Sequence, residues 1–138
     1  MASESEFPAR GKIVSIDGSI ATFAPAGTNY QLHLDVRDRN ANLPADTPVD
    51  ILIQVDARKV YTVPSGGNFV TPLFGPPRII QGRVRSATDK TLVVHAGTNF
   101  VVNLPQANDA MDLNNGPITV GSMVNVVALP GARIASLE

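Results

Sequence analysis

Cysteine is absent from this 138-residue chain, so neither a disulfide nor a thiolate metal site is open to it. That absence fits a reducing compartment. Tryptophan is absent too, aromatic residues make up only 5%, and charged residues only 17%. There are two histidines, His33 and His95, with no spacing that would assemble a zinc ligand set. Glutamate occurs only at Glu4, Glu6 and Glu138. No run of apolar residues approaches the length of a membrane span, and the polar, acidic start (Ser3-Glu4-Ser5-Glu6) has neither half of a signal peptide. The expectation is a soluble, cytoplasmic protein with no membrane partner. A formal charge of −1 provides no bulk field to draw it to nucleic acid. No phosphate-binding loop, dinucleotide fingerprint or nucleophile elbow is present, so no catalytic residue and no cofactor is expected.

What the chain does have is β-branched residues and turns. Its 43% of hydrophobic residues are mostly Val, Ile, Leu and Ala, with a β-branched share that favours strands, and 11 Gly and 11 Pro punctuate them. It also repeats itself. Ala26-Gly27-Thr28-Asn29-Tyr30-Gln31-Leu32-His33-Leu34 returns as Ala96-Gly97-Thr98-Asn99-Phe100-Val101-Val102-Asn103-Leu104, at an offset of 70. Gly11-Lys12-Ile13-Val14-Ser15 returns as Gly82-Arg83-Val84-Arg85-Ser86, at 71. Thr47-Pro48-Val49-Asp50-Ile51-Leu52 returns as Ser122-Met123-Val124-Asn125-Val126-Val127, at 75, a register that ends on Ala57-Arg58 against Ala132-Arg133. Three blocks in one order point to a tandem duplication. The changes of offset mark loops, which accept insertions where strands do not.

Each copy reads as five strands. In the first they fall at 10–16, 19–24, 28–36, 49–55 and 58–63. In the second they fall at 80–87, 91–96, 98–104, 123–129 and 132–137. Asp17-Gly18 is a hairpin signal, residues 30–36 alternate apolar and polar at period two, and Asp56-Ala57 is read as the turn of the last hairpin. Residues 37–46 are a polar loop or one short helical turn, and Ala107–Leu113 could form a short helix. The fold expected is all-β: two tandem small five-stranded barrels, OB-like or SH3-like, at 7–63 and 78–138. A Pro/Gly linker at 64–77 joins them, and its Phe69, Val70, Leu73 and Phe74 are apolar. Those side chains are expected to pack over a barrel end or the seam between copies, or to dock on a partner.

Charge is unevenly spread. From Ala57 to Thr88 there is no acidic residue, and Arg58, Lys59, Arg78, Arg83 and Arg85 give +5 against −6 for the remainder. Arginines near Tyr61, Phe69 and Phe74 suit a small anion or a single-stranded nucleic acid. Asp35, Asp38, Asp46, Asp50 and Asp56 gather in the first copy, where an acid/base pair or a calcium site is conceivable, although turn Asp usually serves the backbone. The leading expectation is a non-enzymatic binding or assembly module that forms homo-oligomers through Phe69, Leu73 and Phe74. Nucleic acid is the less favoured partner.

Gly11, Ile13 and Ser15 with Val49, Ile51 and Ile53, and Gly82, Val84 and Ser86 with Val124 and Val126, form a pattern that resembles the Mop/TOBE barrels. These are small OB-type units of molybdate-binding proteins and transporter ATPases. Ala57-Arg58-Lys59-Val60 sits where such units carry a short Lys/Ala/Ser stretch. Their N-terminal Ser-Ala-Arg-Asn-type stretch survives here only as Ala9-Arg10. The resemblance implies a small oxyanion held at subunit interfaces, largely by backbone N–H groups.

Overall fold

The computed structural model describes residues 8–36, 47–64, 66–88, 90–104, 111–112 and 118–137. Twelve strands make one mixed sheet, with no helix among the described residues. They are β1 (Ala9–Asp17), β2 (Ile20–Pro25), β3 (Gln31–Val36), β4 (Pro48–Thr62), β5 (Phe69–Thr71), β6 (Phe74–Gly75), β7 (Ile79–Ala87), β8 (Thr91–His95), β9 (Asn99–Asn103), β10 (Met111–Asp112), β11 (Met123–Ala128) and β12 (Arg133–Leu137). The all-β expectation stands. The helix expected at Ala107–Leu113 and the connection at 37–46 lie outside the described residues, apart from Met111 and Asp112. Those two extend along Val60 and Tyr61 as β10.

Short-range turn chemistry places the first strands. Gly18, at φ +63°, turns β1 into β2, and Asp17 pairs with Ile20. Gly11 has no room for a side chain against β2, because a Cβ built there would run into the carbonyl oxygen of Ala24. Gly82 repeats this between β7 and β8, where the obstruction is the carbonyl oxygen of His95. Each strand then carries an irregularity at the same relative place, between Ile13 and Ser15 and between Val84 and Ser86. These positions are 71 apart, the offset of the sequence repeat.

The turn expected at Asp56-Ala57 does not form: β4 runs unbroken through it. Asp56-Ala57-Arg58 contains no Gly, the residue that takes the positive φ of a two-residue turn at least cost. Ile51, Ile53, Val55 and Ala57 hold one inward face. Val127 then pairs with Lys59 and Ala128 with Ala57, which leaves Arg58 as a bulge. The extra residue shifts the phase of the strand, so Val60 and Thr62 turn inward while Arg58 and Lys59 both stay exposed.

Because β4 does not turn back, it lends its two halves to different neighbours. Its first half pairs with β1 and β12, its second half with β11, and Gln54–Asp56 lie parallel to Val101–Asn103 of β9. The last strand does the reverse. β12 leaves β11 and inserts between β3 and β4, pairing Arg133 with Asp35 and with Gln54. Pairing therefore runs β1-β2-β3-β12-β4 with a return to β1, and β4-β11-β7-β8-β9 with a return to β4. The two halves of the sequence are not separately paired units: one sheet contains both, and β4 belongs to each circuit.

Burial follows the same plan. A single apolar cluster includes Ile13, Phe23, Leu32 and Leu34 from the first half and Ile80, Val94, Phe100 and Val124 from the second. Val55, Ala57 and Val60 of β4 also belong to it. Where β12 crosses β4, Arg133 is 7% exposed, and its guanidinium donates to both carboxylate oxygens of Asp56 at 3.0 and 3.2 Å. Asn103 Nδ2 donates to the same carboxylate at 2.9 Å. This pair ties the end of the chain to the middle of β4, and a buried guanidinium left without its carboxylate would be costly.

Candidate binding surfaces

The five basic residues of the acid-free segment do not converge. Arg58 is the bulge residue of β4, and Lys59 beside it lies 5.8 Å from the centroid of the Tyr61 ring. Arg78 precedes β7: its N–H donates to the Thr71 carbonyl at 2.9 Å, and its carbonyl accepts from Ala128 N–H at 2.7 Å. Ala128 pairs with Ala57 on one side and bonds Arg78 on the other, so Arg58 and Arg78 flank β11 with their backbones about 10 Å apart. Arg83 is five residues further along, about 17 Å at strand rise. Its Nη1 donates to the Gly121 carbonyl at 3.0 Å. Arg85 is exposed, unpaired between Val84 and Ser86. Arg58, Lys59 and Arg78 thus form one group, and Arg83 and Arg85 a second.

The linker is held on both sides. β5 pairs antiparallel with β7, placing Phe69 opposite Gln81, and β6 lies parallel to β3, placing Phe74 opposite Gln31. Gln81 Nε2 donates to the Gly67 carbonyl at 2.9 Å, and Gln31 N–H donates to the Leu73 carbonyl at 2.7 Å. Val70 turns inward, 2% exposed. Phe69, Leu73 and Phe74 do not: they are 38%, 41% and 61% exposed. Of the four apolar linker side chains, one packs internally and three face solvent.

Two concavities accompany these features. One, of about 610 Å³, is lined by Arg10 and Lys12 together with Val14, Ala24, Ala26 and Pro48. Arg10 is held by Asp50 at 3.0 Å, while Lys12 is exposed. The other, of about 440 Å³, lies between the end of the linker and the bend joining β11 to β12. Neither was singled out from the sequence as a cavity. Nothing local in the sequence marks a strand edge or a bend as hollow.

The acidic candidates disperse as well. Asp50 and Asp56 are taken up by Arg10 and Arg133, Asp35 lies on β3, and Asp38 and Asp46 fall outside the described residues. His33 is exposed, and His95 Nδ1 is 2.9 Å from Asn99 Oδ1. Among the described residues, no three His, Asp or Glu side chains come together as a metal site. No described helix is long and apolar enough to cross a membrane. No protein-family model, curated protein or solved structure matches this chain.

Proposed function

We propose that this chain is a non-enzymatic binding or assembly module that self-associates through its linker. The supporting architecture is an internal duplication: two five-strand circuits of OB-like or SH3-like type that have exchanged their last strands. The registers agree with this. Asp56 beside Asn103 and Arg133 beside Asp35 lie on the same parallel alignment once the offsets of 70 and 75 are applied.

One observation carries the self-association reading. Phe69, Leu73 and Phe74 stand exposed on backbone that is already pinned by β5 and β6. Apolar side chains on a fixed backbone lose little entropy on docking, and aromatic residues are enriched in the buried centres of protein contacts. The measurement is molar mass by light scattering after size exclusion. The natural chain is expected to elute at a multiple of 14.6 kDa. The double variant Phe69→Ser/Phe74→Ser is expected to elute as a monomer with an unchanged far-UV spectrum. A natural chain that is monomeric at high concentration would remove this reading.

A second reading, a small anion, is favoured by the groove at Arg10 and Lys12. There, next to the Ala9-Arg10 remnant of the Mop-type pattern, the exposed Lys12 ammonium stands at a largely apolar hollow. Single-stranded nucleic acid has less support, since the basic residues split into two groups and Arg83 is committed to a backbone carbonyl.

A further inference from the structure

The two halves differ most where the chain passes from its fourth to its fifth strand. In the first half that passage is the unbroken middle of β4. In the second, the equivalent residues are Leu129-Pro130-Gly131, and the chain bends. Pro130 has no N–H to give to a ladder, and Gly131 adopts φ +103°, a value that L side chains rarely take. The strand therefore stops at Ala128 and resumes at Arg133.

The bend leaves a hollow. Its walls are the bend itself, with Leu129 and Pro130, and the end of the linker, with Pro76, Pro77 and Ile79, and they enclose about 440 Å³. That volume lies in the range of small-ligand sites, about 300–1,000 Å³. The one charged residue lining the hollow is Arg78. Arg78 makes no ion pair among the described residues. The nearest carboxylate along the chain pairing, Asp56, whose carbonyl accepts from Leu129 N–H, is engaged by Arg133 and Asn103. Apolar walls with a single unpaired guanidinium are complementary to a molecule that has an apolar body and one negative charge.

We infer that this bend is a binding site for a small organic monoanion, an aliphatic or aromatic carboxylate, with the carboxylate on Arg78 and the apolar body between Pro76 and Pro77 of the linker and Pro130 of the bend. The site shares the end of the linker with the face proposed for self-association but uses none of Phe69, Leu73 and Phe74. The two are read by different measurements, so either can fail alone.

The test is a titration of the full chain with sodium benzoate, followed by amide chemical shifts, with neutral benzamide as the matched probe. Saturable shifts are expected at Ile79, Val127, Gly131 and Ala132 with benzoate, and binding about tenfold weaker with benzamide. Arg78→Gln, at an exposed position, should leave the rest of the spectrum intact and erase the preference for the charged probe. Absence of saturable shifts, equal binding of both probes, an unchanged preference in the variant, or shifts confined to residues 10–14 would each overturn the inference.

Discussion

Ending the chain after Gly131 is expected to unfold its first half. β12 is a neighbour of β3 and of the first half of β4, so its loss exposes two strands remote from it in sequence. Burial of Ala132 and Ile134 is worth about 3 kcal/mol together. The lost ladder hydrogen bonds, at about 1 kcal/mol each, bring the cost to about 6 kcal/mol. That is comparable to the whole stability of many small proteins, about 5–15 kcal/mol. Hydrogen exchange reads the result by position: the amide of Asp35, which donates to the Ala132 carbonyl, and that of Gln54, opposite Arg133, are expected to lose protection first. If β12 instead folded back on β11, the loss would begin in residues 79–128 and leave residues 31–36 protected.

Gly11→Ala and Gly82→Ala are expected to cost nearly the same, about 3 kcal/mol each. At both sites the added methyl group meets a backbone carbonyl of the adjacent strand. At Gly11 it would also come within 2.7 Å of the Phe23 ring and 2.8 Å of Pro25 Cα, and at Gly82 within 2.7 Å of His95 carbonyl carbon. Backbone in a paired strand cannot withdraw without breaking its ladder, unlike the tip of a flexible side chain. Urea midpoints should fall alike for the two variants with the slope unchanged. Gly67→Ala, where nothing lies within 4 Å, is the control and should change the stability by no more than about 0.5 kcal/mol. Unequal losses at Gly11 and Gly82 would count against the equivalence of the two sites.

Which parts of this fold could be read in the sequence follows from the range of the interactions. Strand positions depend on neighbours in sequence: Gly18 turns β1, alternation marks β3, and the repeat carries each assignment into the second half. The continuity of β4 was hidden by a single residue. The bulge at Arg58 breaks the alternation of Ala57 and Val60, and a break in alternation reads as a turn. The partners of β12 were hidden for another reason. Ile134 would satisfy an apolar slot beside either β11 or β4, and the choice is fixed by contacts such as Arg133 with Asp56, which are 77 residues apart. β5 and β6 are too short to show any period.

The candidate surfaces divide in the same way. Exposure of Phe69, Leu73 and Phe74 could be suspected, because a linker rich in Gly and Pro seldom contains four apolar side chains. The separation of Arg58, Lys59 and Arg78 from Arg83 and Arg85 could not, since a run of charge in sequence fixes no distance in space. The hollow at the bend required the structure: Pro130 and Gly131 forecast a turn, and only the placement of Pro76 and Pro77 against it makes a cavity.

Exchange of the last strands is the claim on which the architecture depends, and backbone nuclear Overhauser effects in the full-length chain test it most directly. Cross-strand contacts are predicted between Ile134 and Ile53, between Arg133 and Asp35, and between Val126 and Val60. Contacts pairing residues 49–55 with residues 58–63, as a hairpin turning at Asp56, would contradict it.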